Sequence, residues 1–326
     1  MRAAVVTDFG EPDVIEIRQV PDPEPGPGRA LIEVEFADVL WVEAMIRRGL
    51  ARDHFDHKPP YVPGNGVAGR VSVVGEGVGE HWLGLPAVAH TGERGGYAER
   101  AVVPAGALVA VPAGVDLREA AALLHDGVTA MRLQEVTGYQ AGSRVLVVGA
   151  SGGLGIASIQ LARARSAHVV ATARDERKLA RIRAIGPDAL IDSESRDWVA
   201  SARAALGGEG ADVILDNIGG EVGGAAFEAI TPGGRFSAHG TPSGSFAEID
   251  RDTAEARNVA ITGIREVQVS DADLARLTRA ALDELAAGHL RPVIGQTFPL
   301  QRAADAHAAI EARAVFGKTM LTIGGD

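Results

Sequence analysis

The spacing of apolar and polar residues changes once along the chain, near Asp116. Before it, short apolar or alternating runs are cut by glycine and proline: AAVVTDF, VIEIRQV, ALIEVEF, GVAGRVSVVGEGV, AERAVVP and ALVAVP. A period of two places successive side chains on opposite faces of a strand, and glycine or proline marks where each strand stops. The cluster Pro21–Gly28 separates the second and third runs. This segment predicts a curled sheet or barrel with glycines at its bends.

Beyond Asp116 the period lengthens. Leu117–Gly138 has helical apolar spacing and ends on a glycine, which predicts one helix. Nearly continuous apolar runs then follow: RVLVVGA, HVVATA, ALID, ADVILDNIG, RFSAHG and VAITGI. They alternate with helical stretches of about 10–14 residues. Short strands that are apolar on both faces need cover on both, so the pattern predicts a parallel sheet between two layers of helices. Ser270–Leu290 reads as a long amphipathic helix, with Ser270 and Asp273 placed as a capping box. Val293–Ile323 reads as strand, helix, strand. The expected fold class is α/β: a β-rich domain joined to a doubly wound parallel sheet.

Composition excludes several functions. The 326 residues are enough for two domains, and 46% hydrophobic with 23% charged residues is globular material. A net charge of −11 argues against nucleic acid or an anionic membrane as the main partner. No apolar run approaches the ~18 residues of a membrane span, and Asp8 falls too early for a signal peptide, so a cytoplasmic location is expected. The absence of Cys removes disulfides, thiolate nucleophiles, iron–sulfur clusters and the common structural zinc sites. Of 32 basic residues only Lys58, Lys178 and Lys318 are lysines.

One motif carries chemistry. Val145–Ala162 is an apolar strand, a glycine turn and a helix start, with Gly149, Gly152 and Gly155 spaced G-x-x-G-x-x-G and Gly153 added. Glycines allow the tight turn and let backbone approach a pyrophosphate, while the helix start offers N–H groups and the positive end of a dipole. Followed by further strand–helix alternation, this reads as a dinucleotide site. An NAD site wants an acid at the end of the next strand, on the ribose hydroxyls. Ala173 stands there, followed by Arg174 and, one helical turn on, Lys178, which can pair with a 2′-phosphate. The expected cofactor is NADPH, although Asp175 is close enough that a one-residue misalignment would favour NAD.

At this point the chain resembles the medium-chain dehydrogenase/reductase superfamily, and within it the zinc-independent quinone oxidoreductase branch. The resemblance rests on MRAAVVTDFGEPDVIEI, Tyr61–Val78, Gly95–Ala105, AAALLHDGVTA, GASGGLG, Gly210–Glu221, Thr231–Phe236 and FGKTMLTI, in that order. It implies a GroES-like catalytic domain over 1–120 and 292–326, a Rossmann NADPH-binding domain over 121–291, nicotinamide in the cleft between them, and a homodimer joined through Rossmann edge strands. It also implies cofactor contacts. The pyrophosphate would meet Ser151, Gly152, Gly153, Leu154 and Gly155, and the 2′-phosphate Arg174 and Lys178. Asn217 and Ile218 would lie beside the adenosine and ribose. Thr129, His239, Gly240, Thr241, Gly263 and Ile264 would follow the nicotinamide ribose and carboxamide, and Lys318 would reach the cleft from the C-terminal segment.

The chain also departs from its relatives. Where zinc alcohol dehydrogenases place a ligand Cys and a His-Glu pair it has Leu40, Asn65 and Gly66, so no catalytic metal is expected, and His54 and His57 read as exposed loop histidines. Where the quinone reductase branch lines its substrate cleft with Asn, Asp and Tyr it has Leu40, Glu43 and Met45, and a Tyr that often helps hold the 2′-phosphate is Ser193. Leu40, Trp41, Glu43, Met45 and Tyr61 are the expected substrate pocket.

Without a metal to polarise a carbonyl, hydride must go to a carbon that is already electron-poor: a quinone, or the β-carbon of an α,β-unsaturated carbonyl. No proton donor is assigned. Tyr61, His125 and Asp126 are the candidates of the catalytic set, with His239 and Glu43 as further possibilities, and protonation by solvent is preferred. The alternatives are a dedicated enoyl or ketone reductase of a secondary-metabolite pathway and a non-catalytic NADPH-binding protein.

Overall fold

The computed structural model describes residues 1–92, 94–313 and 315–324. They form two compact units. The first comprises Met1–His125, Asp271–Ala286 and Pro292–Asp326, the second Asp126–Ser270 and Ala287–Arg291. The helix Asp271–Ala286, which the sequence reading grouped with the second domain, packs on the Leu117–Leu123 helix and the Val109–Ala110 strand of the first unit.

The first unit is built around the strand Arg29–Val39, the longest in the chain. It pairs antiparallel with Gly66–Val74, Arg100–Pro104 and Lys318–Thr322, so the C-terminal segment closes the sheet beside Asp38 and Val39. Its pairing shifts between Val34 and Phe36, where a Cβ at Gly69 would collide with the Glu33 carbonyl; a glycine is what lets the two backbones cross there. Pro86–His90, a strand that the apolar spacing did not single out, pairs with Gly66–Val74. The core beneath joins Ile32, Val34 and Val67 to Leu300, Ala306 and Leu321.

Leu117–Gly138 is two helices rather than one. Leu117–Leu123 is capped by Asp116, whose carboxylate accepts from the N–H groups of Arg118 and Glu119, and Asp126–Thr137 follows a break at Leu124 and His125. Helical periodicity does not see a two-residue break that keeps both apolar faces in phase, and the side chain of His125 has its partner outside either helix.

The second unit carries six parallel strands: Arg144–Val148, His168–Ala173, Ala189–Asp192, Ala211–Asp216, Ile230–Ala238 and Ala260–Gly263. Numbered within this unit their order is 3-2-1-4-5-6, the doubly wound arrangement of dinucleotide-binding folds. Leu146, Val148, Ile214, Ile230 and Phe236 fill the core on one side against Trp198 and Phe227. The short helix Arg251–Ala256, absent from the sequence reading, is capped by Asp250. Among the described residues no helix is long and apolar enough to cross a membrane.

Two histidines of the first unit are buried within its fold. Burial lowers His90 to about 3 and His307 to about 3, the latter with neither ring nitrogen hydrogen-bonded. A base whose folded pKa is depressed is neutral when folded and takes a proton on unfolding. Its contribution is present above the ordinary value of 6.5 and is lost as pH falls toward the folded value. Each such group costs about 1.4 kcal/mol per pH unit over that window. Urea unfolding of H307L should show equal or greater stability than the parent at pH 7, because two desolvated nitrogens are removed. It should lose about 2 kcal/mol less than the parent between pH 6.5 and pH 5. An identical pH dependence in the two proteins would refute the assignment.

Candidate functional site

In the second unit, a parallel sheet ends all its strands on one edge, and residues far apart in sequence meet there. The first strand leads into the glycine turn, where Gly149 has φ +71° and a Cβ would strike Ile218, the residue two beyond the fourth strand. Gly155 has no room for a Cβ against Ala150, while the space around Gly152 is open. The helix Gly153–Ala164 starts at Gly152 with no side-chain cap, leaving its first N–H groups facing outward for an anion. Ser151, Gly152, Gly153, Leu154, Gly155, Arg174, Asn217, Ile218, His239, Gly240, Thr241 and Ile264 all fall within this turn or just past the ends of strands one, two, four, five and six, where Gly263 is itself the last strand residue. Lys178 is in the helix after the second strand. Thr129 lies half-buried in the Asp126–Thr137 helix.

The second strand ends at Ala173, and Asp175 adopts φ +62° to cap the next helix, its carboxylate accepting from the N–H of Lys178 at 2.9 Å. The Lys178 ammonium is held below its ordinary pKa by partial burial and then by the charge of Arg174. Asp175 and Glu194 act on the same ammonium as opposite charges.

At the ends of the fourth and fifth strands a hydrogen-bond chain fixes three side chains. The Asn217 amide nitrogen donates to the Val148 carbonyl at 2.9 Å, which leaves its oxygen to accept from His239 Nε2 at 3.0 Å. His239 Nδ1 must then accept, and the Ser237 hydroxyl lies 3.0 Å away to donate. Burial lowers His239 to about 4, so the ring is a neutral, fixed tautomer. Ser237 escaped the sequence reading because a serine within RFSAHG looks like any strand residue. Asp216, fully buried, accepts from the N–H groups of Ile218 and Gly219 at 2.9 Å and shapes the same turn.

In the first unit the expected substrate wall divides. Leu40, Trp41 and Met45 are half-buried on or just before the helix Trp41–Arg47. Glu43 and Tyr61, expected beside them, are instead in the interior. Glu43 caps the helix by accepting from Leu40 N–H at 2.9 Å, and its carboxylate also takes Asn65 N–H at 3.0 Å and the Tyr97 hydroxyl at 2.6 Å. Burial and then the charge of Asp38 push Glu43 up to about 7, against the bond from Tyr97. His57 is buried rather than exposed; its ring stacks between Phe55 and Tyr61, with His57 and Tyr61 centroids 5.1 Å apart, and His54 is exposed as expected. Glu43, His57 and Tyr61 line one small cavity with Ile46, Pro63 and Gly64.

Lys318 opens the last strand but does not stand alone. Its ammonium lies 2.8 Å from Asp38, whose same oxygen is 2.8 Å from His125 Nδ1. Asp38 is fully buried; burial would raise it, but the charges of His125 and Lys318 prevail and hold it well below the ordinary carboxylate range. His90 packs edge-on against His125, with centroids 4.6 Å apart. Asp38 was missed by the sequence reading, because the strand ALIEVEFADV carries three acids, Glu33, Glu35 and Asp38, and nothing local marks the last as the buried one. Asp126 begins the following helix. Among the described residues no three His, Asp or Glu groups are arranged to hold a metal ion.

The family models that match are the alcohol dehydrogenase GroES-like domain over residues 26–113 and the zinc-binding dehydrogenase family over 185–321. The quinone oxidoreductase of Rattus norvegicus is 31% identical over 328 residues, covering 99% of this chain and 98% of that one. A 2-haloacrylate reductase of a Burkholderia species is 28% identical over 326 residues, covering 98% of each. Among solved structures, an NAD-dependent alcohol dehydrogenase superposes with TM-score 0.90 at 31% identity over 99% of this chain and 100% of that one. A mycobacterial protein complexed with NADPH superposes with TM-score 0.89 at 27% identity, over 99% and 100%. A GroES-like unit, a Rossmann unit and relatives spanning nearly the whole length leave one assignment: this chain belongs to the medium-chain dehydrogenase/reductase superfamily, in its quinone oxidoreductase-like branch, and is an oxidoreductase that binds a nicotinamide cofactor.

Proposed function

We propose that the chain is an NADPH-dependent, metal-independent reductase of quinones or α,β-unsaturated carbonyl compounds. The observation that carries the cofactor choice is the end of the second Rossmann strand. Ala173 offers no carboxylate to ribose hydroxyls, the Asp175 carboxylate is engaged by its own helix, and Arg174 and Lys178 stand together as cations just past the strand. The glycine turn fits a pyrophosphate, since Gly152 leaves open space before uncapped N–H groups. His239, neutral and fixed by Asn217 and Ser237, orients the backbone that follows the fifth strand.

When bound, the cofactor supplies hydride. The chain's own side chains must then fix the acceptor and exclude water. Leu40, Trp41 and Met45 suit a hydrophobic acceptor, and the donor sets at Leu40, Asn65 and Gly66 offer neither thiolate nor imidazole to a metal. Two relatives point the same way by name, one a quinone oxidoreductase and the other a reductase of a conjugated acid. The strand Ala260–Gly263 is an edge of the Rossmann sheet and exposes Ile261, which supports a homodimer formed by pairing that edge.

Replacing Arg174 and Lys178 together with Ala should weaken NADPH by about 100-fold or more in fluorescence titration while changing NADH less than about threefold, as expected for two lost charge-assisted contacts. Equal losses for both nucleotides would refute the placement of the 2′-phosphate. In stopped-flow absorbance, NADPH bound to the protein should be oxidised on mixing with members of a quinone and enone panel, unchanged by a chelator. A trace that stays flat with every acceptor would favour a binding protein without turnover.

A further inference from the structure

The helix Trp41–Arg47 carries Trp41 and Met45 of the acceptor wall and is fastened at both ends. At about 100° per residue, Trp41 and Met45 share one face and Glu43 falls on the opposite one. There the Glu43 carboxylate takes three hydrogens. One oxygen accepts from Leu40 N–H and the Tyr97 hydroxyl, the other from Asn65 N–H. At the far end Arg47, closed to water, donates to the Gly10 carbonyl and the Glu311 carboxylate. A guanidinium keeps its proton at every working pH, so that fastening is permanent. The one at Glu43 is conditional. A carboxylate only accepts, whereas a carboxyl with its own hydrogen must set it against one of three donors or reverse the Tyr97 hydroxyl, and its bonds lose their charge assistance. Ile46 of the same helix lines the small cavity beside Glu43, so this end has space to shift.

Resting on the reductase reading above, we infer that Glu43 is a positioning residue for the acceptor. Ionised, it holds the start of the helix, and with it Leu40, Trp41 and Met45, in the arrangement that takes a hydrophobic acceptor. Protonated, it releases that end while Arg47 keeps the other.

The groups around the carboxyl set where the change falls. Asp38, from the strand Arg29–Val39, acts with burial to raise it; the bonds from Tyr97 and Leu40 and the charge of His125 lower it, and the balance is about 7. Tyr97 and Tyr61 stay neutral, both pushed up by burial, and His57 lines the same cavity. The folded value lies above the ordinary 4.5, so the carboxylate is the minor form below about pH 7 and the major form above it. Acceptor binding therefore strengthens as pH rises through that point.

The test reads two signals. The first is tryptophan emission of the cofactor-free W82F protein, a background that removes the indole lying 5.4 Å from the His81 ring. The Trp41 ring centre lies 5.1 Å from the Arg313 guanidinium, a contact that changes when the helix moves. Emission should change between about pH 6 and 8, and adding E43Q or W41F should abolish the change. The second is steady-state kinetics with NADPH and a quinone or enone that the protein reduces. The acceptor KM should fall about fivefold from pH 6 to pH 8.5. E43Q, neutral at every pH, should keep the higher acceptor KM throughout and leave the KM for NADPH within about twofold. Y97F removes a bond that favours the carboxylate and should move both midpoints to higher pH; D38N removes a repelling charge and should move both to lower pH. A merely structural cap would lower stability without these opposed shifts. Should D38N fail to fold, Y97F and E43Q read the same midpoints. A parent that reduces no acceptor at any pH overturns the reductase reading. A parent that reduces acceptors, but whose emission change and acceptor KM stay pH-dependent in E43Q, overturns this inference alone.

Discussion

A carboxylate removed from water must find cations or donors, and that requirement at Asp38 organises the first unit. The charge of Asp38 lies inside the sheet on the strand Arg29–Val39, where leaving it unpaired would cost several kcal/mol. Its partners come from two distant places: Lys318, at the start of the last strand, and His125, in the break between two helices. The C-terminal strand thus docks with its charge as well as its backbone register. The break at Leu124 and His125 gives the imidazole a position that a continuous helix would not supply, and Gly66 is restricted to glycine because the same carboxylate stands over it. Glu43, a second buried acid close by, takes three neutral donors and no cation, and its carboxyl is correspondingly pushed up where that of Asp38 is pushed down. Two acids of similar burial behave oppositely because their partners differ.

The second unit is organised by geometry instead of charge. Parallel strands place all their carboxyl ends on one edge, and the order 3-2-1-4-5-6 parts the connections between the first and fourth strands. Gly149 and Asn217 meet at that parting, close enough that the Asn217 amide reaches the Val148 carbonyl. The contact fixes the amide, the amide fixes the His239 tautomer, and His239 takes the Ser237 hydroxyl. A ligand laid along this edge meets groups whose orientations are already determined, so little entropy remains to be lost on binding.

The architecture was legible in the sequence wherever period and punctuation agreed. The six apolar runs after Arg144 became the six strands, and the glycine turn was readable because strand, turn and helix each signal locally. Arg174 and Lys178 drew notice in the same way, as basic residues just past the end of the next strand. What depended on long-range pairing was not legible. The break at His125 preserves helical spacing, so periodicity ran through it. His57 was taken for a loop histidine because nothing local reveals that Phe55 and Tyr61 enclose its ring. Glu43 was placed on the substrate wall because the quinone reductase branch lines its cleft at that position, whereas its partners Asn65 and Tyr97 lie 22 and 54 residues further on.

The same distinction bears on why a cluster of ordinary side chains escapes a reading of the sequence where a metal site does not. A zinc site gathers its ligands through short motifs, and the positions where zinc alcohol dehydrogenases carry theirs read Leu40, Asn65 and Gly66 here. A cluster built from ordinary side chains has no such signature, because each member is unremarkable until the fold assembles it. Lys318 and His125, 193 residues apart in sequence, share one carboxylate oxygen of Asp38, and neither announces the other in the chain.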